Sequence, residues 1–115
     1  MAWVKLTDDF YDNPKLASVG PLGMALWVVG IAYCNRNLTD GHIPRAVARR
    51  LLDFEDIAVV RGMAGQDVES DFVIGLLVTG GLWDVVPGGY EVHDYLDFQP
   101  SAAEVITLRD KRSAA

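Results

Sequence analysis

Residues 21–33 read PLGMALWVVGIAY, and this run decides the fold because it contains no charged side chain. Pro21 suits the first position of a helix, where its missing N–H costs nothing. Apolar residues then recur at spacings of four, three and four, the period of one helix face: Leu22, Leu26, Val29 and Tyr33. Because most other positions in the run are also apolar, the predicted helix belongs at the centre of a small domain.

The uncharged run continues on both sides over residues 16–35, which is about the length that spans a bilayer. Ser18, Gly20 and Gly23 interrupt its first third, so the continuous helical part is only about 15 residues long. We therefore expect a buried core helix and no contact with a membrane.

Length and composition indicate one cytoplasmic domain. The chain has 115 residues, half of them apolar, which suffices for a single core. The only cysteine, Cys34, excludes an internal disulfide, a thiolate zinc cage and a CxxC redox pair. Asp8 and Asp9 stand where the apolar segment of an export signal would lie.

Outward from the first helix, the pattern predicts a short strand and two more helices. Asp40-Gly41 indicates a turn, and His42 and Ile43 suit a short strand. Pro44 opens a second helix over 44–52. A third helix over about 69–79 begins among acidic residues and ends at Gly80-Gly81. Between them, residues 53–68 predict a short helix followed by a loop.

The last third of the chain predicts a hairpin and a terminal helix. Strands over 83–86 and 90–94 flank Pro87-Gly88-Gly89. Ser101 and Glu104 match the S-x-x-E capping box that begins a helix. Helix, short strand, helix, helix and hairpin is the order of a winged helix.

The predicted fold class is therefore α+β and mostly helical. It is a winged helix-turn-helix whose β-hairpin wing covers 85–92 and whose second and third helices form the helix-turn-helix pair. Residues 1–100 form the winged-helix domain, and 101–115 form a C-terminal helix and short tail.

Several patches carry a resemblance to known proteins, among them WVKL at 3–6 and, as the most specific, NRNLTDG at 35–41, GLW at 81–83 and HDY at 93–95. Together they resemble a group of actinobacterial phage and prophage proteins labelled winged-helix DNA-binding or replication-initiation proteins. Those are similar in their N-terminal module to replisome organisers and DnaD-like primosomal proteins. The resemblance implies a non-enzymatic protein that binds DNA in replication initiation or its control. In that family the second helix is followed closely by the third, whereas this chain has extra sequence, residues 53–68, between them.

The charge distribution indicates which surface can meet DNA. Net charge is −6, whereas a nucleic-acid binder is usually basic. Residues 53–104 carry eleven acidic residues against Arg61 alone, a net charge of −10, and this segment includes the predicted recognition helix and wing. Residues 36–50 carry four arginines against Asp40, a net charge of +3. Since phosphate contacts need Lys or Arg, we expect the second helix to meet DNA.

The candidate nucleic-acid-binding residues are all basic: Arg36, Arg45, Arg49, Arg50, Lys111 and Arg112. Arg45 and Arg49 are four residues apart and share a helix face. Alternatively, the arginines pair with the acidic half of the same or a neighbouring molecule, and the terminal cluster stabilises a helix C-terminus. The chain would then be a protein-interaction module whose acidic face binds a basic host or phage protein.

We predict no enzyme, cofactor or metal site. His93-Asp94 suggests an oriented general base, but no Ser or Cys nucleophile has a recognisable setting, so a structural or surface histidine is expected. An enzyme would need a pocket lined by His93 and neighbouring carboxylates, which we do not expect. Cys34, His42 and His93 lack metal-ligand spacing, and no Gly-rich turn precedes the Lys-Ser/Thr of a phosphate loop.

Trp3 is the aromatic residue nearest a terminus. It must either fold back onto the domain or cover a partner. We therefore treat the apolar N-terminal strand, together with the wing, as candidate surfaces for self-association into a homo-oligomer.

Overall fold

The uncharged run lies within one long helix, α1 (Pro14–Asn37). The computed structural model describes residues 3–54 and 70–114. Gly20 kinks the helix, since its φ of 74° and ψ of 179° are non-helical, and Pro21 begins the straight second part as expected. The helical segment before the kink was not predicted; the Asn13 side chain caps it by accepting a hydrogen bond from the Lys15 N–H.

The buried face of α1 differs from the predicted one. Only Leu26 of the predicted stripe is buried, whereas Leu22, Val29 and Tyr33 are partly exposed. The buried positions follow a different helical line, which passes through two glycines: Leu16, Val19, Gly23, Leu26, Gly30, Ile31, Cys34 and Asn35. The prediction was wrong because it followed the spacing of apolar side chains alone, whereas the buried line includes Gly23 and Gly30, which the core approaches closely.

By length and composition, α1 also meets the criterion for a membrane-crossing helix. Within its most apolar 18-residue window, 33% is buried inside the chain. The core helix of a soluble protein meets the same criterion, so the length of α1 does not by itself place the chain in a membrane.

Three short antiparallel strands form a sheet in the order β1-β3-β2. They are β1 (His42–Pro44), β2 (Trp83–Val86) and β3 (Gly89–Val92). The predicted short strand and hairpin are therefore confirmed, and the chain is α+β and mostly helical. The second hairpin strand ends at Val92 and not at Asp94, because Asp94 adopts a left-handed conformation with φ 56°.

Two predicted helices are present; position 69, where the second was expected to begin, lies outside the described residues. α2 (Arg45–Ala48) is shorter than predicted, because Arg49 and Arg50 already form a turn in which the Arg50 N–H donates to the Val47 carbonyl at 3.0 Å. α3 (Ser70–Thr79) ends at the Gly-Gly pair, where Gly81 has φ 77° and the Leu82 N–H donates to the Leu77 carbonyl. Most of the segment predicted as a short helix and loop, 53–68, lies outside the described residues.

Two helices follow the hairpin. α4 (Tyr95–Phe98) was not predicted, because four residues are too few to show a helical period. α5 (Ala102–Ala114) begins at the predicted capping box, in which the Glu104 N–H donates to Ser101 Oγ at 3.2 Å. Val105 is the buried residue of α5, whereas residues 106–113 are exposed.

The N-terminal segment is held by a buried amide and is not a strand. Gln99, only 6% exposed, accepts from the Lys5 N–H at 2.8 Å and donates to the Lys5 carbonyl at 2.5 Å. The prediction of an N-terminal strand is therefore wrong for residues 3–7. Trp3 does not fold back onto the domain, since 75% of its surface is exposed.

Gly30 sets the distance between α1 and the sheet. A Cβ at this position would lie 3.0 Å from Trp83 Cζ2 and 3.1 Å from Ile43 Cδ1. Trp83 and Ile43 come from β2 and β1, and both are essentially inaccessible to solvent. Trp83 also packs against Tyr90 of β3, with ring centroids 5.5 Å apart. Side chains from all three strands thus meet at or beside one glycine.

We expect Gly30→Ala and Gly75→Ala, both inside helices, to have opposite effects on stability. Gly30→Ala should lower the free energy of unfolding by about 1–3 kcal/mol, because the added methyl overpacks a rigid core. Gly75→Ala should raise it by about 0.5–1 kcal/mol through helix propensity, since no described atom lies within 4 Å of the added Cβ. Chemical denaturation measures both changes; a Gly30→Ala protein as stable as the wild type would contradict this packing.

Candidate nucleic-acid interface

Backbone contacts hold α2 against the turn of the β2–β3 hairpin. The Arg45 N–H donates to the Gly88 carbonyl at 3.1 Å, and Pro44 is the register partner of Gly89. A side chain at Gly89 would collide with the Ile43 carbonyl, so only glycine permits this approach. The backbone that carries the Arg45 side chain is therefore fixed beside the hairpin.

Three of the six predicted basic residues lie together on α2 and the turn after it. The Arg49 N–H donates to the Arg45 carbonyl at 3.3 Å, so these two side chains are one helical turn apart. Arg50 follows directly, and all three residues are exposed. The structure thus groups Arg45, Arg49 and Arg50 on α2 and the turn that directly follows it.

Arg49 is paired with a carboxylate of α3. Its Nε lies 3.2 Å from Asp71 Oδ1, and its Nη2 lies 3.5 Å from Asp71 Oδ2. The two side chains are 52% and 60% exposed, so the pair contributes at most about 1 kcal/mol to stability. The alternative prediction, that the arginines pair with the acidic half of the chain, is therefore met at this residue.

Arg45 and Arg50 differ from Arg49, because neither forms an ion pair with any residue in the described part of the chain. Asp53 lies nearby and lines the same open cavity of about 490 Å³ as Arg49 and Arg50. Among the described residues, the positive surface of α2 and the turn after it thus consists of two guanidinium groups without an ion-pair partner beside one paired group.

The other three predicted residues lie on different elements. Arg36 is exposed in the last turn of α1, where a cation stabilises the helix C-terminus. Lys111 and Arg112 are exposed in the last turn of α5 and occupy the same favourable position there. Of the predicted set, only the α2 group has several members on one element that also touches the hairpin.

The predicted recognition helix and wing present acidic and apolar side chains. α3 exposes Asp71 and Phe72, and Phe72 is 68% exposed. The hairpin exposes Asp84, Glu91 and Val85, which is 65% exposed. Since α3, β2 and β3 contain no Lys or Arg, they have no cationic donors for phosphate.

His93 is clamped between two carboxylates after the end of β3. Its Nδ1 lies 2.9 Å from Asp84 Oδ2, and its Nε2 lies 3.4 Å from Asp94 Oδ2. The hydrogen bond to Asp84 and the negative charges of Asp84 and Asp94 raise the pKa of His93, against a smaller opposing effect of Lys15. Both ring nitrogens are thus engaged, which suits a surface imidazolium and not a free general base.

Sequence reasoning missed a groove of about 880 Å³ beside His93. Its floor is largely apolar and includes Phe10, Leu16, Trp27, Val92, Tyr95 and Phe98. Phe10, from a 3-10 helix (Phe10–Asp12), stacks on Trp27 with ring centroids 6.5 Å apart. The signal in the sequence was weak: Phe98, an apolar residue between the hairpin and the capping box.

The groove also contradicts one expectation about titratable groups. A pocket lined by His93 and neighbouring carboxylates was not expected, yet His93 and Asp94 line this groove together with Asp9, Asp12 and Asp97. No group of three or more His, Cys, Asp or Glu side chains in the described ranges is arranged to hold a metal ion.

Cys34 is buried and chemically quiet. Burial is the main cause that raises the pKa of its thiol to about 11, and its Sγ lies 3.7 Å from the His42 carbonyl oxygen. Since the thiolate is the nucleophile, a thiol with this pKa is unreactive at neutral pH.

Comparison with known proteins adds no assignment. No protein-family model matches the chain, and it matches none of the curated proteins and none of the solved structures. The resemblance to actinobacterial phage proteins therefore stays a prediction, and functional inference rests on the geometry above.

The clamp predicts that His93 titrates above the usual value near 6.5. Because its pKa is raised in the folded chain, the stability that it contributes is present below about pH 6.5 and is lost as pH rises through the folded pKa. NMR titration of the imidazole protons measures this directly. Asp84→Asn should lower the His93 pKa, whereas Asp97→Asn should leave it nearly unchanged; a wild-type value at or below 6.5 would refute the clamp.

Proposed function

We propose that this chain is a winged-helix DNA-binding module of a phage or prophage that acts in replication initiation or its control. Support for the fold comes from the element order α1, β1, α2, α3, β2, β3 and from the pairing of β1 with β3. In this proposal α2 and α3 form the helix-turn-helix pair, and the β2–β3 hairpin is the wing. Support for replication comes from the resemblance of the sequence patches.

The observation that carries the DNA role is the exposed arginine group on α2. Arg45 and Arg50 have no carboxylate partner in the described ranges, and Arg45 lies beside the hairpin turn. Guanidinium groups in this state are suited to phosphate oxygens. In this proposal α2 and the turn after it contact the DNA backbone, and the acidic α3 and hairpin add no cationic contact to it.

In this arrangement Asp71 competes with DNA for Arg49. The planar fork of Arg49 binds a carboxylate or a phosphate with similar geometry. Since the Arg49–Asp71 pair is more than half exposed and worth little, a phosphate can replace the carboxylate. Asp71 then limits the affinity of the free protein for DNA.

This mode of binding is weakly selective for sequence. Phosphate contacts position a protein on DNA but do not read the bases. With only two or three phosphate contacts, the dissociation constant is expected at about 10⁻⁴ to 10⁻⁶ M, and the salt slope of log K should be only about 0.9 for each contact.

We expect DNA binding to respond in opposite directions to Asp71→Asn and Arg50→Ala. Asp71→Asn should tighten binding several-fold because it releases Arg49. Arg50→Ala should weaken binding and reduce the salt slope of log K by about 0.9, as for one lost phosphate contact. Fluorescence anisotropy with labelled duplex and single-stranded DNA, over a series of salt concentrations, measures both effects.

Asp97→Asn on α4 is the matched control, because it removes the same charge away from the arginines. It should tighten binding less than Asp71→Asn does, and Asp71→Asn should have no such effect in an Arg49→Ala background. Absence of binding at micromolar protein and low salt, or binding unaffected by Arg49→Ala and Arg50→Ala, would remove the DNA role.

A second candidate function is a protein-interaction module. It is favoured by Phe72 and Val85, two large apolar side chains that α3 and the hairpin expose among carboxylates. Such a surface suits a partner that presents apolar side chains and basic residues.

The second candidate predicts that Phe72→Ser and Val85→Ser abolish capture of a host or phage protein, whereas Arg50→Ala does not. Affinity capture followed by mass spectrometry compares the three variants with the wild type. If the wild-type chain captures no protein and also binds DNA, this candidate is rejected.

A further inference from the structure

The second half of α5 is exposed to solvent. Val105 is 2% exposed, but every residue over 106–113 is exposed within the described part of the chain, including Ile106 at 46% and Leu108 at 48%. A helix of this length is marginal in water unless it packs against something. α5 therefore presents about two solvent-exposed turns that carry apolar side chains.

One side of these turns is both apolar and basic. At 100° per residue, Ile106 and Leu108 flank the direction of Val105, and Arg109 lies between them one turn further along. Thr107 projects from the opposite side. α5 thus continues its buried face into solvent as a short basic amphipathic surface.

The groove beside His93 has the complementary character. Its floor is apolar, and four aspartates line it, at positions 9, 12, 94 and 97, against Lys5 and Lys15. Phe98 lines it and is 63% exposed, so part of the apolar surface is uncovered. An apolar helix face with an adjacent arginine is complementary to this surface in polarity and in charge.

α5 does not occupy the groove of its own chain. Its first turn is fixed elsewhere, since the Ala102 N–H donates to Asp40 Oδ1 at 2.6 Å and Val105 is buried. The groove nevertheless ends beside the start of α5, because Phe98 and Gln99 line it. A second copy therefore presents the same helix and groove side by side, which permits a reciprocal exchange.

We propose that the groove receives the 106–113 half of α5 from a second copy of this chain. Each protomer inserts its helix into the groove of the other, so that the contact is two-fold symmetric and closes as a dimer. Ile106 and Leu108 cover the apolar floor, and Arg109 meets the aspartates at its edge. This inference does not depend on DNA contact by α2.

Two variants separate the helix from the groove. Leu108→Asp damages the helix side, and Phe98→Lys damages the groove side; each should raise the dimer dissociation constant about tenfold or more. Matched controls place the same charges on surfaces outside the contact. Thr107→Asp lies on the far side of α5, and Leu96→Lys changes a residue of α4 that does not itself line the groove. Sedimentation equilibrium over a concentration series measures all of them, and thermal melting shows that each variant folds.

Mixing the two damaged variants tests the exchange itself. The Phe98→Lys chain has an intact helix and the Leu108→Asp chain an intact groove, so a mixture can form one complete contact. The mixture should dimerise more tightly than either variant alone and less tightly than the wild type. A wild-type chain that stays monomeric at all concentrations, a dimer insensitive to Leu108→Asp, or a mixture with no recovery would each overturn the proposal.

Discussion

The fold depends on the absence of a side chain at Gly30. Because Trp83 and Ile43 both rest on this position, at 3.0 and 3.1 Å from where a Cβ would stand, α1 and the sheet approach more closely than a side chain here would comfortably allow. The same sheet brings the hairpin turn to the start of α2, where Gly89 has no room for a side chain at all. The location of the arginine group beside the hairpin thus follows from two close contacts made at glycines.

The surfaces on the two sides of this packing differ in charge. α2 presents Arg45 and Arg50 without carboxylate partners in the described ranges, whereas α3 and the hairpin expose aspartate, glutamate and two large apolar side chains. Asp71 joins the two regions through its exposed pair with Arg49. An exposed pair of this kind contributes little to stability. It does change how many guanidinium groups are available to an anion, and we regard that as its main consequence.

The ends of helices and strands could be predicted from short sequence motifs, whereas contacts between distant parts of the chain could not. Gly80-Gly81, Pro87-Gly88 and the Ser101–Glu104 box each act over a few residues, and each ended or began its element as expected. The buried face of α1 was missed because Gly30 is buried by Trp83, which lies 53 residues further along the chain. The clustering of three arginines followed from their spacing, but the partner of Arg49 is 22 residues away. The groove joins segments from both ends of the chain, and no local pattern encodes it.

If α2 and the turn after it, and not the usual recognition helix and wing, meet DNA, the contact will be visible in backbone amide chemical shifts recorded by NMR during titration with a short duplex at low salt. The largest changes should then fall on residues 45–50, with little change over 70–79 and 85–92. Changes concentrated on α3 and the hairpin, with none on residues 45–50, would show that DNA meets the usual elements instead.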